Sequence, residues 1–495
     1  MITSQVELKP KVKGFLEGEK QLYMNGAYIP AASGKTFKVY NPATEDVLAE
    51  VSEAQEEDVD QAVKAARNAF ENSEWATMTT AERSHLIYKF ADLLEENREE
   101  LAQLESLDNG KPYTIALEDD IDGTVEHFRY YAGWATKVLG QTTPISSDYL
   151  NYTEHEPVGV VGQIIPWNFP LSMASWKLGA ALATGCTSVL KPAEQTPLSM
   201  LYAAGLFKEA GFPDGVVNIV SGYGETTGEA LVNHTDINKL AFTGSTDVGK
   251  SIMRKAADQV KHVTLELGGK SPNIILEDAD VEKAIDAAFS GIMDNHGQNC
   301  SATSRVYVHR KHYDRVVEGL VERAKATKMG NGMNEGIDMG PLVSKEQFDR
   351  VMNYIEIGKE EGAKLVAGGD RAFDRGYFVQ PTVFADVEDD MRIAREEIFG
   401  PVVTVFPFDK MEEAVRRAND SEYGLAAAVF TENIRTGHKV ARRLKAGTVW
   451  INDTNQENPA AAFGGYKQSG IGREMGNYAL DNYTEVKSVW VNLQE

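Results

Sequence analysis

The spacing of apolar and polar positions changes rhythm twice along the chain. Near the start, "LYMNGAYIP" sets Asn25 and Gly26 between alternating apolar residues, which predicts a hairpin closed by a type I′ turn. A helical rhythm follows. Thr79 and Glu82 form a capping box ahead of "RSHLIYKFADLLEENREELAQLESLDNG", where Leu86, Phe90, Leu93 and Leu94 recur at helical spacing and Gly110 supplies a stop. From residue 158 strands and helices alternate: "VGVVGQII", "LSMASWKLGAALATG", "TSVLK", "PLSMLYAAGLFKEAG", "VVNIV", a helix near Glu225 to Val232, "KLAF", and a helix after Gly244. That succession predicts a parallel, doubly wound sheet, whose ligands sit where loops leave the carboxyl ends of the strands.

A second α/β segment begins after Gly268, with strands expected at "SRVYVH", "PTVFADV", "VVTVFPF", "AAAVF" and "GTVWIN" and helices such as "DKMEEAVRRAND" between them. Two α/β lobes with a cleft between them follow from this order. The tail from Val486 to Leu493 is apolar on both alternating faces, so it needs a pairing partner inside the chain or across subunits. No internal repeat or low-complexity segment interrupts the pattern.

Composition narrows the function classes. A length of 495 residues predicts two to four domains with large cores. Fifty basic against 74 acidic side chains give a formal charge of −24, which disfavours nucleic acid and anionic membrane as partners. The first twenty residues are charged and lack an apolar signal region, and no apolar run reaches membrane-spanning length, so a soluble cytoplasmic protein is expected. Only Cys186 and Cys300 are present, too few for a disulfide framework and consistent with a reducing compartment.

The stretch "FTGSTDVGKS" fits the phosphate-loop pattern from Gly244 to Ser251, and "PNIILED" supplies an apolar run, Ile274 to Leu276, ending in Glu277 and Asp278 as a magnesium-holding strand would. Ordinary strand-to-helix turns have the same spelling. Cys300 lies in polar "NHGQNCSATSR", whereas Cys186 in "LATGCTSVL" reads as a small core residue. A nucleophilic thiol needs a base or fixed dipoles nearby. Glu266, between Leu265 and Leu267 and ahead of Gly268-Gly269, is a carboxylate leaving an apolar strand; desolvation there raises a carboxyl pKa toward what a general base requires, while a solvated strand-end acid is the plainer alternative. Asn168, among Pro166, Trp167, Phe169 and Pro170, can donate to an oxyanion, a contact worth roughly 3 kcal/mol, or can simply close the turn.

Taken together, "NPATEDVLAEV", "PWNFP", "KPAEQTP", "FTGSTDVGK", "LELGGKSPN", "GQNCSATSR", "EEIFGPV" and "FGGYKQSGIGRE", in this order and spacing, resemble the aldehyde dehydrogenase superfamily, in particular its hydrolytic, NAD-preferring branch. The resemblance implies a Rossmann-like cofactor domain (1–136 and 157–268), an α/β catalytic domain (269–470), and a small β element for oligomerisation (137–156 and 471–495) that makes dimers, or tetramers built of dimers. It implies Cys300 as the nucleophile, an oxyanion held by the Asn168 amide and the Cys300 N–H, Glu266 as the base that activates the hydrolytic water, and Lys177 and Glu474 as a proton relay. No metal is implied.

For NAD, the resemblance places Lys191 and Glu194 at the adenosine ribose, Glu397 and Phe399 at the nicotinamide end, and Ile164, Pro166, Trp167, Gly224, Phe242, Gly244, Ser245 and Leu267 along the cofactor. A carboxylate at position 194 accepts from ribose hydroxyls and repels a 2′-phosphate, so NADP is the weaker alternative. In this reading Gly244 lets the pyrophosphate approach and Lys250 is expendable. The substrate pocket implied is Phe169, Met173, Trp176, Asp294, Ser301, Glu457 and Phe463. Two places depart from the family: Asp294 stands where an aromatic is frequent, and "NDTNQENPAAA" puts Gln456, Glu457 and Asn458 at the tunnel mouth. An acidic mouth, with Asp120 assisting, favours a polar or amino aldehyde; solvation of an acidic surface accounts for the same residues. Broad oxidation of simple aliphatic aldehydes and a non-enzymatic binding member of the fold are the competing functions. Coenzyme A-dependent relatives lack the glutamate that Glu266 supplies.

Overall fold

The computed structural model describes residues 5–494; residues 1–4 and 495, which belong to the expected cofactor and oligomerisation segments, lie outside the described residues. An eight-stranded sheet carries the first lobe. Its parallel core runs His262–Glu266, Lys239–Thr243, Val160–Ile164, Thr187–Lys191, Val217–Ile219. Val160–Ile164 has Thr187–Lys191 on one side and Lys239–Thr243 on the other, so the strand order reverses at this strand. A crevice opens at the carboxyl ends of strands where such a reversal occurs.

The predicted hairpin closes that sheet at one edge. Leu22–Met24 pairs with Ala27–Ile29, and Asn25 and Gly26 have φ of 50° and 75°, the two positive values a type I′ turn demands. At the other edge Gly470–Ile471 pairs antiparallel with Leu265 and Glu266, so a segment distant in sequence borders the end of the strand that carries Glu266.

The second lobe is a seven-stranded sheet ordered Lys364–Ala367, Thr382–Ala385, Val402–Phe408, Arg305–His309, Pro272–Ile275, Ala426–Phe430, Thr448–Ile451. Every pairing is parallel except that of the edge strand Lys364–Ala367. All five strands expected from the sequence are in it. The tail finds its partner within the chain: Thr484–Asn492 pairs antiparallel with Tyr149–Pro157, which pairs in turn with Thr142–Ser146. Val486, Trp490 and Leu493 nevertheless remain more than half exposed on this ribbon.

One expectation changes, and one alternative left open by spelling is excluded. The long helical run after Thr79 is two helices, Thr80–Glu96 and Arg98–Asn109, broken at Asn97. The Asn97 side-chain amide donates to the Leu93 carbonyl at 2.8 Å, beside the Asn97 N–H that reaches the same carbonyl at 3.2 Å, and its backbone leaves the helical region with φ of −106° and ψ of 17°. The capping box at Thr79 and Glu82 and the Gly110 stop, with φ of 96°, are present as expected. The phosphate-loop reading fails on geometry. The strand before "FTGS" lies in the first sheet, the strand of "PNIILED" in the second, and Asp278 accepts a hydrogen bond from Thr431. Only Gly244 and Ser245 separate Thr243 from the helix Thr246–Ala257, too short a turn to wrap a triphosphate, and Lys250 lies inside that helix without a hydrogen bond or ion pair.

Candidate active site

The loop before Cys300 holds three consecutive residues in the left-handed region. After the helix Val281–Met293, Asn295, His296 and Gly297 occur in succession at φ of 43°, 61° and 72°. A Cβ on Gly297 would stand 2.0 Å from the Gly400 carbonyl oxygen, so backbone packs on backbone there. Left-handed non-glycine residues persist only where surrounding contacts over-determine them. The contacts are present: Asn295 Nδ2 donates to the Asn168 carbonyl at 2.8 Å and to the Gln298 carbonyl at 3.1 Å, while Asn168 Nδ2 donates back across the cleft to the Gln298 carbonyl at 2.9 Å. Gly340 N–H donates to His296 Nε2 at 2.9 Å, and Val343 N–H to Gln298 Oε1 at 3.0 Å.

This stitching leaves Cys300 half-buried in a turn, and no acceptor among the described residues takes its N–H. Asn168 is buried, its Nδ2 has a second proton to donate, and its Oδ1 is unpartnered. Burial pushes the Cys300 thiol well above its usual range, with Glu457, Glu266 and Glu397 adding to the effect. Cys186, by contrast, is fully buried just ahead of the interior strand Thr187–Lys191, donating to the Tyr483 carbonyl.

Glu266 ends its strand with both carboxylate oxygens buried and unpartnered. Burial, and then the charge of Glu474, holds its carboxyl well above the ordinary range. The following glycines pack it against the second lobe. A Cβ on Gly269 would fall 2.3 Å from the Cys300 carbonyl oxygen, and one on Gly268 2.3 Å from Glu397 Oε2. Glu397 accepts from the Gly269 N–H at 2.8 Å, and burial raises its carboxyl to about 7. Below Glu266, fully buried Lys177 donates to Glu474 at 2.7 and 2.8 Å and to Thr243 Oγ1 at 2.7 Å, so this pair is satisfied by geometry as well as charge.

Most of the remaining expected cofactor residues stand at the carboxyl ends of the first sheet's parallel strands or in the turns that follow them. Ile164, Pro166 and Trp167 leave the sheet where the strand order reverses, and Trp167 meets Phe399 edge-to-face at 5.3 Å across the cleft. Phe399 itself has φ of 63°. Lys191 is buried and donates to the Pro192 carbonyl and, at 3.4 Å, to partly exposed Glu194; burial lowers its pKa. Ser245 caps the helix Thr246–Ala257 through Val248 N–H. Gly224 begins a π-helical turn with open space where a Cβ would stand. Leu267 and Phe242 belong to the buried core beneath, and a Cβ on Gly244 would come 2.5 Å from the Phe242 ring. Close packing on Phe242 is thus a sufficient reason for that glycine.

A cavity of about 540 Å³ leads away from this region. Phe169, Asp294 and Glu457 line it together with Glu118, Asp119 and Asp120, and none of its described lining residues is a lysine or arginine. Glu457 stands at the mouth, yet burial, Asp294 and Asp120 push its carboxyl to about 7. Trp176 is buried behind the wall, edge-to-face with Phe463 at 5.2 Å and stacked near His127, and Met173 is buried with them in the core. Ser301 is fully buried and its hydroxyl and N–H both donate to Asn299 Oδ1, which directs it into the nucleophile loop.

A family model, that of the aldehyde dehydrogenase family, matches residues 28–489. The chain belongs to this family. As an aldehyde dehydrogenase family member it is 60% identical over 495 residues to DhaS of Bacillus subtilis, covering all of both chains. It is 53% identical over 477 residues to the mitochondrial aldehyde dehydrogenase of Homo sapiens, covering 96% of this chain and 92% of that one. Among solved structures, the NAD+ complex of aldehyde dehydrogenase from Bacillus cereus superposes with a TM-score of 0.99 at 71% identity, over 99% of this chain and 100% of the other.

Sequence reasoning missed three residues that the fold brings to Asn168. Asn109 and Lys111 flank the Gly110 stop, where polar residues usually meet solvent, and Asn295 reads as loop polarity. All three are buried and donate to the Trp167–Asn168 backbone. A polar triplet around a helix stop, next to apolar "PYTIAL", was the available signal.

The unpartnered Glu266 carboxyl has a thermodynamic signature. The folded protein retains its proton at pH values where the unfolded chain has released it, so wild-type stability drains away as pH rises from the ordinary carboxylate range through the raised folded value. Glu266→Gln cannot ionise and escapes this loss. Its melting temperature should therefore gain on wild type progressively between pH 5 and pH 9 on the order of a few degrees, by scanning calorimetry; a constant offset across that range would contradict the buried, raised carboxyl.

Proposed function

We propose that this chain is an NAD+-dependent aldehyde dehydrogenase that oxidises an aldehyde to its carboxylate through a covalent intermediate on Cys300. The observation that carries the reading is the buried, unpartnered Glu266 carboxylate beside a loop that presents the only half-buried thiol, with Asn168 fixed to the same loop. The family and the NAD+ complex of the 71% identical relative support it.

The crevice fits a dinucleotide. The Thr246 helix offers unpaired N–H groups to a pyrophosphate, Glu194 offers acceptors to ribose hydroxyls, and the Trp167–Phe399 pair frames an aromatic slot beside buried Glu397. Lys191, kept from solvent and only weakly engaged by Glu194, has donors to turn toward the same ribose. Glu194 disfavours a 2′-phosphate, which makes NAD+ preferred over NADP+. When bound, the nicotinamide accepts the hydride that the substrate loses.

The chain's own residues carry the other steps. Glu266 takes the Cys300 proton, and the thiolate adds to the aldehyde carbonyl carbon; the new C–S bond forms as the carbonyl π pair moves to oxygen. The Cys300 N–H and the second Asn168 Nδ2 proton hold that oxyanion, each such donor being worth on the order of 10²–10³ in rate. Loss of hydride from the tetrahedral carbon leaves a thioester on Cys300. Glu266, its carboxylate regenerated by passing a proton toward the Lys177–Glu474 pair, then deprotonates the water that displaces Cys300 and gives the carboxylate product. A carboxyl held above its usual range suits this task, because its conjugate base is stronger than an ordinary carboxylate. Cys300→Ala should abolish reduction of NAD+ with every aldehyde, whereas Lys250→Ala should stay within about twofold of wild type, since a helix lysine without partners has no γ-phosphate to hold. Turnover in the alanine variant of Cys300, followed at 340 nm, would remove the mechanism.

The acidic cavity directs substrate choice toward a polar or cationic aldehyde. Asp120 and Asp122 are paired with Lys111 and Arg98, but the lining still holds more carboxylates than these two cations answer, and that excess raises the local concentration of a positively charged substrate. The kcat/KM of an ω-amino aldehyde should exceed that of the neutral aldehyde of equal length by about tenfold at low ionic strength, and the advantage should shrink with added salt. A lower value for the amino aldehyde would leave simple aliphatic aldehydes as the substrates.

Copies of the chain associate through the ribbon of Tyr149–Pro157 and Thr484–Asn492, whose exposed Val486, Trp490 and Leu493 call for cover. Sedimentation should give a dimer or a tetramer built of two dimers, and Trp490→Asp with Val486→Asp should shift it toward monomer; a wild-type monomer would rule the interface out.

A further inference from the structure

The Asn168 carbonyl is held from three directions. Asn295 donates from the nucleophile loop at 2.8 Å, Asn109 from the end of the helix Arg98–Asn109 at 3.4 Å, and the Lys111 ammonium at 3.2 Å. Lys111 is fully buried like Asn109 and differs from the two amides in carrying a charge. Its side chain is carried inward because Gly110 turns left-handed at the helix end, and its own carbonyl is fixed by Ser106 Oγ at 2.7 Å. The ammonium stands 4.4 Å from the centre of the Phe169 ring, the residue after Asn168, and forms an ion pair with Asp120, which lines the acidic cavity. One buried cation thereby grips residues 168 and 169 and is itself anchored at the wall of the cavity.

We propose that Lys111 is the positioning residue for Asn168, fixing the peptide from which the oxyanion-holding amide projects. Burying an ammonium is costly, and the Asp120 pair offsets that cost only with further hydrogen bonds; the Asn168 carbonyl is the one that reaches the catalytic machinery. A charge-assisted bond to a carbonyl is stronger and more directional than the amide donors beside it. The side-chain amide of Asn168 then has one proton committed to Gln298 and the other aimed by a peptide that cannot tilt. Lys111 touches neither aldehyde nor cofactor in this role.

The inference rests on Asn168 holding the oxyanion, and a double-mutant cycle separates the two claims. Lys111→Met should lower kcat for a short neutral aldehyde by about tenfold or more, with the KM for NAD+ unchanged, and should have less than about a twofold further effect in the Asn168→Ala background. Since removing one member of a buried ion pair can prevent folding, the paired variant Lys111→Met/Asp120→Asn, which leaves no charge behind, repeats the cycle. Equal losses in the presence and absence of the Asn168 amide would overturn the positioning role and leave Lys111 a scaffold residue. Full activity in Asn168→Ala itself would instead overturn the oxyanion assignment on which the inference rests.

Discussion

The reciprocal pair of hydrogen bonds between Asn168 and the loop before Cys300 is the constraint on which the site depends. The two lobes contribute opposite halves of the chemistry, and a thiol on one is useful only at a fixed separation from the amide and carboxylate on the other. Asn168 Nδ2 bonds to Gln298 and Asn295 Nδ2 returns the bond to Asn168, so neither loop can shift without breaking both. Gly268 and Gly269 complete the clamp, since any side chain there would collide with Glu397 or with the Cys300 carbonyl. The strain of consecutive left-handed residues at 295–297 is held by these contacts.

Desolvation is the second theme, and it divides the buried charges into two kinds. Lys177 and Glu474, like Lys111 and Asp120, are satisfied pairs that reinforce the frame. Glu266 is left without a partner, and the fold tolerates the cost because a satisfied carboxylate would be a poorer base. The acidic cavity extends the same logic outward, where burial, and then the charges of Asp294 and Asp120, push the Glu457 carboxyl up to about 7.

Much of this was legible in the sequence because the periodicities are strong. The alternation from 158 to 266 and the Asn25-Gly26 turn follow from local chemistry, and the strands appear where the pattern puts them. The break at Asn97 escaped because both helices share one apolar face and the interruption is a single side chain bonding backward. The "FTGSTDVGKS" spelling alone left a phosphate loop open, because a pattern of letters carries no record of which sheet its neighbouring strands join; the surrounding motifs already made Lys250 expendable. That Cys300, Glu266 and Asn168 come together was expected from family resemblance, whereas for Lys111 the polar residues around the Gly110 stop were a faint signal that does not show it folding against Phe169.

The loop from Asn452 to Pro459 is placed differently from the rest of the site. It follows the last strand of the second sheet, holds Asn452 and Asn455 at positive φ, and is tied back by Trp450 Nε1 to the Gln456 carbonyl. Glu457 reaches the cavity from this loop, while no clamp residue of the thiol, the amide or the base resides on it. The cavity mouth and the clamp around Cys300, Asn168 and Glu266 therefore sit on separable pieces of backbone, and a handful of exposed positions can reshape the mouth while the packing beneath stays as it is.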